Sequence, residues 1–460
     1  MAEKLFLFDL SKDALISNLA ICGQDLNDLI VDFGVPGFII PPGPSNNPWR
    51  AHNRDGSVDS SGSVENLGYG IPLLLPDKTK ARNLLDQMLQ KATANGNPRA
   101  ARVAGVDVTP YSMNLAPQGQ HWCAGSGRGY SYATRRRAHQ LIESEALVDN
   151  ELFGRGVKIL VIDQGFNKDY LGSLNGIYGG GMGWIVDGKV KIPGEGKWPY
   201  TSLEQRHGSM LLRSLVKLAP KAEIRDIPLI PERITDVGYF ALHALFAFAF
   251  IKALYLSKQG PWVLLNAWGV VDRFAEGLWG SYTNNRDHFL NLMIASIAEK
   301  HDVVFAAGNN GQFCADPRAT GYDAGPGNSI FGANGLPEVT SVGAVRADGA
   351  WIGASSQGPG PEDFQIGNGT VEKPDFCVPS WFTEDHDHFL RSGGTSAASA
   401  LTAGCIAALR QGWGTTAVSP AELRAAIRNS SRQVAQTGWS ARTGTGVLKL
   451  GSLIGQPPIV

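Results

Sequence analysis

The chain has 460 residues, with 41 Lys and Arg against 42 Asp and Glu, giving a formal net charge of -1. That balance excludes a protein built to coat nucleic acid or to lie on an anionic membrane, because both need a basic excess. With 43% hydrophobic residues, 18% charged residues and 56 glycines, the chain can bury a large core and is not disordered throughout.

The N-terminal stretch MAEKLFLFDLSKDALISN lacks the basic start, long apolar run and small-residue cleavage site of a secretory signal, so a cytoplasmic protein is expected. The segment 35–72 is dense in Pro, Gly, Ser and Asn and is expected to be loop or linker. A helix is predicted after Asp77, carrying Leu84, Leu85, Met88 and Leu89 up to about Gly96. From Pro98 to Asn150 the pattern is irregular again. Residues 1–140 therefore form an N-terminal extension, either an accessory region or a propeptide.

After Gly154 the character changes. Val157, Ile159, Leu160, Val161 and Ile162 form an almost continuous apolar run, as in a strand buried on both faces. Similar runs occur at 223–229, 262–267, 302–307 and 339–345, separated mainly by helical patterns near 208–218, 236–257 and 286–300. The apolar stretch from Tyr239 to Ile251 is too short for the ~20 residues of a membrane helix and reads as a buried one. Two more helices are predicted at 396–411 and 419–430, the second with Pro420 at its first position. This alternation gives an α/β fold class: a mostly parallel sheet flanked by helices on both faces.

In such sheets, chemistry collects at the carboxyl ends of the strands. Asp163 closes VKILVID, His207 opens a helix, Asn309 closes VVFAAGN, and Ser396 lies at a helix start, where amide groups favour negative charge. Taken singly, each has a structural explanation as a cap, a turn residue or a packing residue. Together, in the order Asp, His, Ser, they are the parts of nucleophilic acyl transfer in the subtilisin order, with no G-x-S-x-G elbow around Ser396.

The motifs LVIDQGF, RHGSM, FAAGNNG and GGTSAAS resemble, in the same order, the Asp, His, oxyanion and Ser motifs of the subtilisin-like serine peptidases, or subtilases. Similar segments fill the intervals, so the resemblance covers about Asn150 to Leu450 and implies a peptidase domain over 141–455. It implies a serine endopeptidase with the triad Asp163, His207 and Ser396 and with Asn309 in the oxyanion hole. Ala267, Trp268 and Gly269 would form one wall of a cleft for an extended substrate, and Ala306, Ala307 and Gly308 the other. Trp268 has two readings, a subsite residue or a core tryptophan. Gln164, Ser209-Met210 and Ala400 depart from the usual family pattern, bearing on substrate preference and local packing more than on the reaction.

The expected partner is a protein or peptide substrate, with neither nucleic acid nor membrane; nothing in the sequence bears on the oligomeric state. The chemistry needs no cofactor, and structural calcium, common in the family, has no nameable ligand set. A binding scaffold or pseudo-enzyme on the same fold and an acyl-transferring peptide macrocyclase are the alternatives. Three weaker signals are read blandly: Arg135-Arg136-Arg137 as an exposed basic helix or loop rather than a processing site, Asp385-His386-Asp387-His388 as solvated residues rather than metal ligands, and Gly179–Gly183 as a flexible loop. The five cysteines, Cys22, Cys123, Cys314, Cys377 and Cys405, have no zinc or disulfide spacing.

Overall fold

Strands apolar at every position must be covered on both faces, and the structure, a computed structural model, shows how this chain covers them. It describes residues 133–455 apart from 187–188, 197–203, 205, 231–236, 259, 270–281, 314, 316–318, 320, 366–368, 388–389 and 433–437, together with five earlier strands. Those are β1 (Glu3–Asp9), β2 (Val31–Asp32), β3 (Ala51–His52), β4 (Tyr69–Leu75) and β5 (Val103–Val106). Four of them form an antiparallel sheet in the order β2-β4-β1-β5. The segment 35–72, expected as loop, thus contains β3 and the start of β4, while the helix expected after Asp77 lies outside the described residues.

The main body begins with β6 (Ala133–Thr134), α1 (Arg135–Leu141), α2 (Glu145–Asp149), β7 (Lys158–Ile162), α3 (Lys168–Ser173) and β8 (Ile177–Met182). A hairpin, β9 (Trp184–Val186) and β10 (Lys189–Lys191), precedes α4 (His207–Leu218), β11 (Glu223–Ile227), α5 (Val237–Leu254) and β12 (Trp262–Asn266). Then come α6 (Phe289–Ala298), β13 (Asp302–Ala306), β14 (Thr340–Val345), β15 (Phe376–Pro379), β16 (Phe382–Thr383) and β17 (Arg391–Ser392). The chain closes with α7 (Gly394–Gly412), α8 (Pro420–Ser430) and α9 (Leu450–Gly455).

Eight strands make the central sheet in the order β15-β14-β13-β12-β7-β11-β8-β3. Seven are parallel, and β3 adds antiparallel at the β8 edge, Ala51 opposite Met182. Side chains alternate between two cores, as a pleated strand requires. Leu160, Ile162, Leu264 and Phe305 face α5 and α6, whereas Ile159, Val161, Val263, Leu265 and Val304 face α4 and α7. The α5 helix packs into the first core, and among the described residues no helix is long and apolar enough to cross a membrane.

The glycine run is a correction to the sequence reading. Gly179, Gly180, Gly181 and Met182 lie in strand β8 rather than a flexible loop, Gly181 and Met182 paired across to neighbouring strands and Gly179 and Gly180 at a register shift against β11. A Cβ at Gly181 would fall 2.1 Å from the Asp226 carbonyl oxygen, so the absence of side chains lets the neighbouring strand close in.

Helix α7 crosses beneath the sheet with every residue from Gly394 to Arg410 buried. Small residues make that passage fit. A Cβ at Gly404 would lie 2.9 Å from Leu218 Cβ, so α7 lies directly against α4. Its far end is tied by a two-pronged ion pair from Arg410 to Asp302, at 2.6 and 2.8 Å, at the start of β13. Arg410 also donates to the carbonyls of Trp413 and Val418, satisfying acceptors just beyond the helix end. Removing one member of a buried pair strands the other charge, which costs about 3–5 kcal/mol. Asp302→Ala is therefore expected to lower the urea-unfolding free energy by about that amount; a midpoint equal to wild type would contradict the assignment.

Candidate active site

Asp163 directly follows β7, and its backbone is held at the strand's carboxyl end: its N–H donates to Ile227 O at 3.2 Å and its C=O accepts from Ile230 N at 3.0 Å. Its side chain is fully buried and meets His207, the first residue of α4, with Oδ1 2.8 Å from Nδ1. A carboxylate only accepts, so Nδ1 carries the proton and Nε2 is left as the basic nitrogen.

Ser396 lies in the first turn of α7, 4% exposed, and its hydroxyl donates to Ala267 O at 3.1 Å. The first amides of a helix have no intrahelical acceptors and carry its positive dipole end, so developing negative charge is favoured there. The entrance to α7 also touches the histidine helix: Gly393 N donates to Met210 Sδ at 3.3 Å. One of the departures from the family pattern, Met210, therefore packs as a link between the two helix starts.

Asn309, just beyond β13, has its amide orientation set by a residue that the sequence reading passed over. Thr395 donates to Asn309 Oδ1 twice, from its N–H at 2.9 Å and from its hydroxyl at 3.1 Å. With the oxygen so occupied, the Nδ2 group is turned the other way, alongside Gly394, where an added Cβ would stand 3.1 Å from it. Gly394 and Gly308 both take left-handed backbone conformations, φ +72° and +112°, that favour glycine.

The two predicted walls of the cleft are joined by Asn334, also missed from sequence. Its Nδ2 donates to Trp268 O at 2.8 Å and to Ala306 O at 2.7 Å, one carbonyl from each wall. A Cβ at Gly269 would come within 2.8 Å of that nitrogen, which explains the glycine. Ala307 N is spent on Val342 O at 2.9 Å. The Trp268 indole is buried edge-on to Phe240 and Phe305, at centroid distances of 6.1 and 5.2 Å, so its ring belongs to the core.

A second carboxylate lies beneath the Asp163 loop. Asp226 is fully buried on β11, and its Oδ2 accepts from Gly194 N at 2.8 Å and Phe166 N at 3.3 Å. Burial raises it to about 7, outweighing those two amides; the charge of Asp163 adds to the rise and Lys191 opposes it. The basic and acidic runs set aside in the sequence meet around Glu384. Arg135 is buried and pairs with Glu384 through two bonds, at 2.6 and 2.7 Å, while Asp385 accepts from Arg136 N at 3.0 Å. The basic run is thus a helix start whose first arginine is internal rather than exposed. Although burial pushes the Glu384 carboxyl up, Arg135 and Arg213 hold it down to about 2. Among the described residues, no group of three or more His, Cys, Asp or Glu side chains could hold a metal ion.

Residues 244–446, a little under half the chain, match the model of the subtilase family, Peptidase_S8. The segment is a subtilase segment. It contains Asn309 and Ser396, whereas Asp163 and His207 lie ahead of it. No curated protein matches. Among solved structures, MycP1 from the ESX-1 type VII secretion system is 14% identical, covering 77% of this chain and 92% of that chain, with a TM-score of 0.45. MycP1 from Mycobacterium smegmatis is 15% identical, covering 76% and 91%, TM-score 0.46. A Ser-to-Ala mutant of the protease domain of PatA is 15% identical, covering 66% and 96%, TM-score 0.44.

Asp226 yields a stability prediction. The folded protein keeps this carboxyl neutral to about pH 7, while the unfolded chain ionises it near its ordinary 3.8. Its contribution is complete below pH 4 and declines as the pH rises to 7, because the unfolded state then releases the proton and the folded state does not. Asp226→Asn, neutral throughout, is expected to flatten the melting temperature between pH 4 and 7 and to gain on wild type at pH 8. Parallel melting curves for the two proteins across that range would contradict it.

Proposed function

We propose that this chain, which matches the subtilase family over residues 244–446, is a serine endopeptidase that hydrolyses peptide bonds of a restricted protein or precursor-peptide substrate through Asp163, His207 and Ser396. The observation that carries the reading is the buried 2.8 Å bond between His207 and Asp163 at the carboxyl end of the sheet, beside the start of the Ser396 helix.

In the resting state the single hydroxyl proton of Ser396 is committed to Ala267 O. Substrate binding must therefore turn Oγ away from that carbonyl and toward His207 Nε2. Oγ then attacks the peptide carbonyl carbon, the proton passes to Nε2, and the imidazolium that forms is stabilised by Asp163. The carbonyl oxygen becomes an oxyanion held by the Asn309 amide and the Ser396 N–H. Collapse breaks the C–N bond, the leaving amine takes the proton from His207, and an acyl-serine remains. Water, deprotonated by the same nitrogen, releases the acid and restores the hydroxyl. No step needs a cofactor.

The main chains of Ala267, Trp268 and Gly269 on one side and of Ala306, Ala307 and Gly308 on the other would flank an extended substrate, at a separation supported by the Asn334 bridge. Residues 1–140 are proposed as a retained accessory region or a removed propeptide; the separate β2-β4-β1-β5 sheet supports this, while β3 joins the central sheet and residues 133–140 belong to the main body. N-terminal sequencing of active protein distinguishes them, since a start at Met1 or Ala2 means retention. A cytoplasmic site of action belongs to the same proposal, and recovery of the active protein outside intact cells would overturn it.

A fluorophosphonate probe is expected to label wild type at Ser396 and to leave Ser396→Ala unlabelled. Folded wild type that never labels would defeat the peptidase reading. Asn309→Ala is expected to lower kcat by about 10²–10³, the magnitude known for such a donor in subtilisin itself, with KM little changed. A kcat within twofold of wild type would remove Asn309 from the oxyanion hole.

A further inference from the structure

Arg213 lies on α4, six residues beyond His207, and is buried. It is an unexpected residue for the middle of a helix packed beneath a sheet. A guanidinium there must find several acceptors or pay the full cost of desolvation. It finds four. Nε donates to Glu384 Oε1 at 3.0 Å, Nη1 to the Tyr170 phenol oxygen at 3.3 Å and to Glu204 O at 2.6 Å, and Nη2 to Arg391 O at 3.1 Å.

The acceptors are distributed in a way that packing alone does not require. Tyr170 belongs to α3, the helix reached directly from the Asp163 loop. Glu204 lies three residues before His207. Arg391 lies on β17, five residues before Ser396. One rigid, planar group thus contacts the segments that carry all three triad members. Its fourth bond anchors it: Glu384 Oε1 also accepts from Ser392 Oγ at 3.1 Å, again on the strand leading to Ser396, and the carboxylate is held by Arg135 from the other side.

We propose that Arg213 is a positioning residue that sets Asp163, His207 and Ser396 relative to one another. The inference rests on the peptidase reading above. Its physical basis is the shape of the guanidinium: five N–H groups in a fixed fork span acceptors on separate segments, which the compact ammonium of lysine cannot do. Displacing a catalytic group by a fraction of its contact distance slows chemistry without greatly changing how the ground-state substrate binds.

The test uses the full chain. Arg213→Lys keeps the charge beside Glu384 and loses the fork; kcat is expected to fall about tenfold to a hundredfold, with KM unchanged and Ser396 labelled more slowly, at a temperature where the variant is fully folded. A folded Arg213→Lys protein with wild-type kcat overturns the proposal and leaves the peptidase reading standing. A loss of kcat that disappears when the temperature is lowered well below the variant's melting point shows a role in stability alone, and also overturns it. If Arg213→Lys does not fold, Tyr170→Phe removes a single acceptor; a drop in kcat of about threefold at constant KM supports the proposal, and no change overturns it. Wild type that never labels at Ser396 defeats the peptidase reading, and this inference falls with it.

Discussion

The structure depends on one helix being buried along almost its whole length. Ser396 must stand at the start of α7, where the amides face the site, yet the remainder of α7 runs through the core from Gly394 to Arg410. The many small side chains among these residues allow that close packing. The run of Ala, Ser, Thr and Gly brings the helix against β12, β13 and β14 on one side and α4 on the other, with Gly404 directly against Leu218. Because α4 begins with His207, the close approach of the two helices also sets where the imidazole stands relative to the serine. A larger residue at Gly404 would push apart the elements that carry the two groups.

Buried carboxylates do the remaining positioning, each in a different electrostatic setting. Asp163 is paired with His207 alone among side chains in the hydrogen bonds of the described residues, which suits the role proposed for it of stabilising an imidazolium. Asp226 gathers two backbone amides beneath the same loop and pays for burial by favouring its neutral form. Glu384 is crowded by two guanidinium groups and held ionised well below the usual range. Asp302 locks the other end of α7 through Arg410. Breaking the Glu384 or Asp302 pairs would leave a charge without its partner, so those two carboxylates act as rigid joints between segments distant in sequence.

The parallel sheet was legible because its strands are apolar on both faces, a pattern with few alternatives at that length, and the helices around it were legible from their periodicity. Asp163, His207, Asn309 and Ser396 could be named because a few short motifs occur in one order. Other parts were illegible for stated reasons. Gly179 to Gly183 looked like a loop because glycine carries no side-chain pattern, and only the approach of β11 shows why a strand needs it. Thr395 was hidden beside Ser396, since an ordinary threonine gives no sign that its two donors will grip an amide 86 positions away. Asn334 and Arg213 carry no local signature at all, because their acceptors come from separate segments of the chain.

By itself, then, the sequence determined the fold class, the order of the proposed reacting groups and the strands and helices at whose ends they stand. These follow from periodicity, turn chemistry and motif order, all of which are local. Only the tertiary structure decided which carbonyl holds the resting Ser396 hydroxyl, that the Trp268 ring belongs to the core, and that the Arg135 and Glu384 regions meet in one buried cluster. Those outcomes depend on distances between segments up to 249 residues apart. Such distances are fixed when the two cores close on the sheet, not by any property of the residues taken in order.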